Sequence, residues 1–149
     1  MSSSIRAAVI GIGNMGSAHA RFIHSGVIEG MRLTAVCDLL PERLVWAERE
    51  LPGARRFSDF HSLIASGEVD AVIIAVPHPM HSLIAMEALR AGLHVLCEKP
   101  LDIRLSLAKK AVQAGKETGK IFAVMLNQRT NPIFQRARTL VREIGRAHV

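Results

Sequence analysis

Short apolar runs and segments of helical periodicity alternate along the whole chain. The runs are Ile5–Ile10, Leu33–Cys37, a weak one at Arg55–Phe57, Ala71–Val76, His94–Cys97 and Ile121–Leu126. Ala71–Val76 reads AVIIAV, apolar at every position, as a strand covered on both faces requires. The helical segments between them carry their own punctuation. One opens at Met15; Pro41–Leu51 has proline in its first turn, where the missing N–H is harmless. Asp59–Ala65 is short, and Met80–Ala91 stops at Gly92, a left-handed cap. Asp102 can cap a helix whose apolar positions Leu105, Ala108 and Val112 step by three and four, with Gly119 at its end. Asn131 caps and Pro132 opens the last one, with Phe134, Ala137, Val141 and Ile144 on one face and Gly145 closing it. Six strands with interleaved helices predict an α/β fold, a doubly wound parallel sheet, because crossover helices cover both faces.

Composition agrees with a packed domain. The chain has 149 residues, 49% of them hydrophobic and 21% charged, enough for one core. No apolar stretch approaches the ~20 residues of a membrane span, and MSSSIR lacks the order of a signal peptide, so the expected location is cytoplasmic with no membrane partner. Cys37 and Cys97 each end an apolar run and read as reduced core thiols. Net charge is +6, but the basic residues are scattered, tyrosine is absent and no aromatics interleave with them. That pattern predicts a solvated basic surface and no nucleic-acid partner.

The turn after the first run is G-I-G-N-M-G, residues 11–16. In a strand–turn–helix context Gly11, Gly13 and Gly16 permit the tight turn, the approach of a pyrophosphate and close helix–strand packing. The helix start, with Ile12, Asn14 and Met15 in the same turn, supplies N–H groups and a positive dipole end to phosphate. Asp38 ends the second run, 22 residues after Gly16. Its carboxylate can accept from both adenosine ribose hydroxyls and would repel a 2′-phosphate, which favours NAD over NADP. Arg43 nearby leaves NADP as the lesser option, while Leu39 offers a phosphate nothing.

A second cluster stands where the fourth and fifth strands end: AVPHPMH at 75–81 and CEKP at 97–100. Ligands of open α/β sheets sit beyond the carboxyl ends of strands, so both segments face the crevice of the glycine turn. His78 and His81 alone make no metal site, which needs at least three protein groups, and no metal is expected. Lys99 has two readings on these grounds, a charge placed in the crevice or a surface salt bridge with Glu98.

The combination of G-I-G-N-M-G-x-x-H (11–19), A-V-P-H-P-M-H (75–81), C-E-K-P (97–100) and NQRTNP (127–132) resembles the glucose–fructose oxidoreductase and inositol dehydrogenase family of NAD(P)-dependent oxidoreductases. The resemblance runs from about Ile5 to the last residue, and E-K-P is its most specific element. It implies a Rossmann domain followed by a largely antiparallel α/β domain. It implies that Pro77 and its neighbours Ala75, Val76, His78 and His81 line the nicotinamide half of the cofactor, that Glu98 contacts the nicotinamide ribose and that Lys99 reaches cofactor and substrate. Asn127 and Arg129 would lie at the back of the same crevice. His78 departs from the family, which usually carries Asn there.

On this resemblance residues 1–144 are the dinucleotide-binding domain and 145–149 the opening strand of a second domain that the chain lacks. The family's acid/base residue and its main assembly surface belong to that domain. The parent is expected to be a homo-oligomer that oxidises a secondary alcohol of a polyol, sugar or cyclitol, with Lys99 at the reacting oxygen. This chain is expected to bind NAD with little turnover and to expose apolar surface that the second domain would cover. Two other readings are an NAD redox-sensing module and half of an NAD-assisted glycosidase or eliminase.

Overall fold

The computed structural model describes residues 4–146. The elements in order are β1 (Ile5–Ile10), α1 (Asn14–His24), β2 (Met31–Cys37), α2 (Pro41–Glu50), β3 (Arg55–Phe57), α3 (Phe60–Ala65), β4 (Ala71–Ile74), α4 (His81–Arg90), β5 (His94–Glu98), α5 (Leu105–Thr118), β6 (Phe122–Met125) and α6 (Pro132–Arg146). Single 3₁₀ turns at His78–Met80 and Asn127–Arg129 lead into α4 and α6. The strands form one sheet in the order β3-β2-β1-β4-β5-β6, with every neighbouring pair parallel. The winding reverses between β1 and β4, the place where such sheets open a crevice at their carboxyl edge.

Alternation along the strands divides the core in two. Ala8, Ile10, Val72 and Ile74 pack with Leu63, Ile84 and Leu89 of α3 and α4. Ala7, Val9 and Ile73 pack on the other face with Ala20 and Ile23 of α1 and Ala47 of α2. Period-two side chains thus feed both layers, which is why these strands read as unbroken apolar runs. Cys37 and Cys97 are free and buried; burial pushes both thiols up to about 12, so neither is a ready nucleophile.

Three expectations about the helices need correction. Asp102 does not cap α5. Its Oδ1 accepts the Arg104 N–H at 2.8 Å in the turn before the helix, and Arg104 holds the cap position. Leu105 and Val112 of the expected stripe are exposed; the buried positions are Ala111, Ala114 and Gly115. A Cβ on Gly115 would stand 3.0 Å from Cβ of Phe122, so α5 lies too close to the sheet for large side chains to face it. Gly145 does not close α6, which continues to Arg146. The rest of the expected opening strand, residues 147–149, lies outside the described residues.

Asn131 does cap α6, its Oδ1 accepting the Ile133 N–H at 3.0 Å. Phe134, Val141 and Ile144 are exposed, and no described residue covers that face.

At the opposite edge of the sheet Arg6 clamps Asp70. Its Nη2 donates to Oδ1 at 2.7 Å and its Nε to Oδ2 at 3.1 Å. The guanidinium draws the Asp70 carboxyl down from 3.8 to about 2. A carboxylate with a depressed folded value stabilises the fold above its unfolded value, and that contribution is lost as pH falls through the folded one. Acid unfolding of Asp70→Asn should therefore show a stability deficit that is full above pH 3.8 and shrinks toward about pH 2. Because the pair is partly exposed, the deficit is modest, on the order of 1 kcal/mol or less.

Candidate functional site

β1 ends in a turn that only glycine can build at two places. Gly11 has φ +84°, and a Cβ there would lie 2.7 Å from the Ala75 carbonyl oxygen. A Cβ on Gly16 would lie 1.7 Å from the Gly11 carbonyl oxygen. The first turn of α1 therefore rests directly on the end of β1, and its free N–H groups point over the strand ends. Gly13 sits at the helix cap, with the Arg43 guanidinium 3.4 Å from where its Cβ would be. Asn14 and Met15 face outward, while Ile12 is buried in the core.

Asp38 closes this corner. Its Oδ2 accepts the Ile12 N–H at 2.8 Å and an Arg43 Nη1–H at 3.0 Å, and its Oδ1 accepts the Leu40 N–H at 3.0 Å. The carboxylate is only 6% exposed, and three donors offset the cost of withdrawing its charge from water. Beside it opens a cavity of about 400 Å³ with Gly11 and Asp38 at its base and apolar walls from Leu39, Leu40, Phe60, Met80 and Ile84. An apolar slot next to a carboxylate suits a purine with its ribose. Sequence reasoning missed these walls, since nothing in Phe60 or Ile84 marks them before the fold brings them to Asp38.

A second cavity of about 420 Å³ gathers Met15, Val76, His78, Glu98, Lys99 and Asn127. The two cavities share Ala75 and Val76, so the two motif clusters expected to face one crevice do so. Pro77 lines the cavity beside Asp38 and is not in the lining of this one. Arg129 also departs from expectation. It lines a neighbouring cleft of about 600 Å³ with Arg138 and Arg142 of α6, because the 3₁₀ turn at Asn127–Arg129 carries its side chain outward. Gln128, which was not singled out, borders both.

Lys99 and Glu98 do not pair with each other. Glu98 is buried, taking His19 Nε2–H on Oε1 at 2.8 Å and the Lys99 backbone N–H on Oε2 at 3.1 Å. Lys99 is exposed, and the described ion pairs include none at its ammonium. Of the two sequence readings, the salt bridge with Glu98 is not formed, and Lys99 lines the second cavity. His81 is 1% exposed; its Nδ1 faces the Pro100 carbonyl at 2.7 Å and its Nε2 the Val76 carbonyl at 2.8 Å. Both nitrogens face backbone carbonyls, so the ring N–H donates to backbone and is not free for a ligand. Among the described residues no three His, Cys, Asp or Glu side chains converge as a metal site.

A model described as the oxidoreductase family with an NAD-binding Rossmann fold matches residues 5–126. The chain belongs to this family. It is the family to which the motifs pointed. The inositol 2-dehydrogenase of Rubrobacter xylanophilus is 41% identical over 132 residues, which are 88% of this chain and 38% of that protein. The crystal structure of myo-inositol 2-dehydrogenase from Lactobacillus plantarum superposes with a TM-score of 0.87 at 31% identity, over 94% of this chain and 41% of that one. The scyllo-inositol dehydrogenase of Lactobacillus casei, solved with NAD(H) and scyllo-inositol bound, gives 0.85 at 29% identity over 94% and 41%. The chain thus spans about two fifths of the length of these relatives. Among its described residues no helix is long and apolar enough to cross a membrane.

The glycine contacts give a direct test. Gly16→Ala puts a methyl against backbone that cannot yield, and should cost about 3 kcal/mol or more. Gly145→Ala, in an exposed helix with open space around it, should be neutral or stabilising by up to about 1 kcal/mol. Urea unfolding of the two variants checks both.

Proposed function

We propose that the chain is the cofactor-binding part of a dehydrogenase acting on a secondary alcohol of a polyol, sugar or cyclitol, with NAD as the preferred dinucleotide. The observation that carries the reading is Lys99, an uncommitted ammonium standing in a cavity that adjoins the Asp38 slot. The pyrophosphate would lie on the N–H groups at the start of α1, above Gly11, Gly13 and Gly16. Asp38 would take the adenosine ribose hydroxyls, and its charge disfavours a 2′-phosphate. When bound, the nicotinamide supplies the hydride acceptor or donor.

Around it Ala75, Val76, His78 and Asn127 form walls that exclude water. Lys99 Nζ–H hydrogen-bonds the substrate oxygen, and its positive charge favours the alkoxide-like form of that oxygen. His78 lines the same cavity as Lys99, but the chain spans only about two fifths of the length of its relatives, which supports slow turnover or none by this chain alone. Inositol-like substrates are supported by the names of the relatives. The exposed apolar face of α6 supports a following domain seated there, consistent with the greater length of those relatives, and with assembly into homo-oligomers in a cytoplasmic enzyme.

Calorimetric titration with NAD and NADP tests the reading. NAD should bind, NADP more weakly. Asp38→Ala should weaken NAD about tenfold or more, since two ribose hydrogen bonds and the Ile12 anchor go together. Lys99→Ala should leave NAD affinity within about threefold, because its main work is on the substrate oxygen. Absence of binding by either dinucleotide would refute the proposal.

A further inference from the structure

His19 enters neither the glycine turn nor the Asp38 corner, yet it is the side-chain partner of Glu98. It stands in α1, whose core face is made by Gly16, Ala20 and Ile23. From there its Nε2–H reaches Glu98 Oε1 at 2.8 Å, across 79 residues of sequence. The two side chains are 17% and 10% exposed. An exposed ion pair would contribute little, but a carboxylate withdrawn this far loses much more when its donor is removed. Glu98 is the last residue of β5, and its second oxygen holds the N–H of Lys99. Past Lys99 the turn is fastened by other groups: His81 against the Pro100 carbonyl and Ser82 Oγ–H on the Leu101 carbonyl at 3.2 Å. On the incoming side the β5–β6 pairing reaches Glu98, and past it the Lys99 N–H is held by the Glu98 carboxylate, whose side-chain partner is His19.

We infer that His19 is a positioning residue of the cofactor site, fixing the Glu98 carboxylate in the wall of the Lys99 cavity and, through it, the backbone of Lys99. The inference rests on the function proposed above. Its consequence is mechanical. α1, the helix that would carry the pyrophosphate on its first turn, also grips the loop that bears the reacting ammonium. The two halves of the dinucleotide site are thereby held at one spacing. Without His19 the freed carboxylate turns toward solvent in the Lys99 cavity, where the nicotinamide ribose would sit, while the adenosine slot is untouched.

The test compares NAD with ADP, which fills the adenosine and pyrophosphate positions but has no nicotinamide half. Both are titrated calorimetrically into the unsubstituted chain, His19→Ala and His19→Gln. His19→Ala should bind ADP within about twofold of the unsubstituted chain, which also shows that it folds, and NAD about fivefold more weakly. His19→Gln, whose amide N–H can still reach Oε1, should recover most of the loss. In a Glu98→Gln background His19→Ala should cost little more, since the partner is already altered. Equal effects on NAD and ADP, no effect on either, or a Gln variant as weak as the Ala variant would overturn the inference. If the unsubstituted chain binds ADP and NAD equally, the nicotinamide side adds nothing and the inference falls while the adenosine assignment stands. If it binds neither, the functional proposal falls and takes the inference with it.

Discussion

The contact between Gly16 and the Gly11 carbonyl is the constraint on which the rest depends. A helix residue normally keeps its neighbours at the distance of a Cβ; here that atom would overlap backbone. Glycine inside a helix costs about 1 kcal/mol relative to alanine, far less than moving α1 off the sheet. The close seat puts the helix start over the strand ends, brings Ile12 N–H to Asp38 and aims His19, less than one turn past Gly16, at Glu98. Each later feature of the crevice inherits its position from that approach.

The electrostatics of the crevice follow a simple division. Two carboxylates, Asp38 and Glu98, are buried at its two ends, and each accepts from more than one part of the chain. These donors offset the cost of withdrawing each carboxylate from water and fix its direction, while acceptor capacity remains on both. Lys99 is the opposite case, exposed and in none of the described ion pairs. On the function proposed above, that cation would favour negative charge developing on a bound oxygen.

Much of this was legible in the chain itself. β1 and β3 have the expected bounds, and the strand ends at Asp38 and Glu98 lie where the apolar runs stop, because buried parallel strands announce themselves by composition alone. α5 was harder. Its large apolar residues face outward and its alanines inward, a reversal set by how near the helix lies to Phe122, which periodicity does not encode. The side-chain partners were harder still. His19 and Glu98 are 79 residues apart, and nothing in either segment marks the other as its partner. Arg129 was placed by motif, but its direction is decided by a single 3₁₀ turn.

The glycines also distinguish the two edges of the sheet by what requires them. At the carboxyl edge Gly11 and Gly16 are wedged against backbone. At the amino edge Gly30, Gly53, Gly67 and Gly119, each ahead of a strand, have open space around them, and only their positive φ favours glycine. None of these connections lines the two cavities of the crevice. Loops of that kind accept length and sequence drift at little cost. A lineage built on this fold can therefore remodel one rim while the other stays fixed, and a fluorescent label or an inserted peptide belongs on the amino rim.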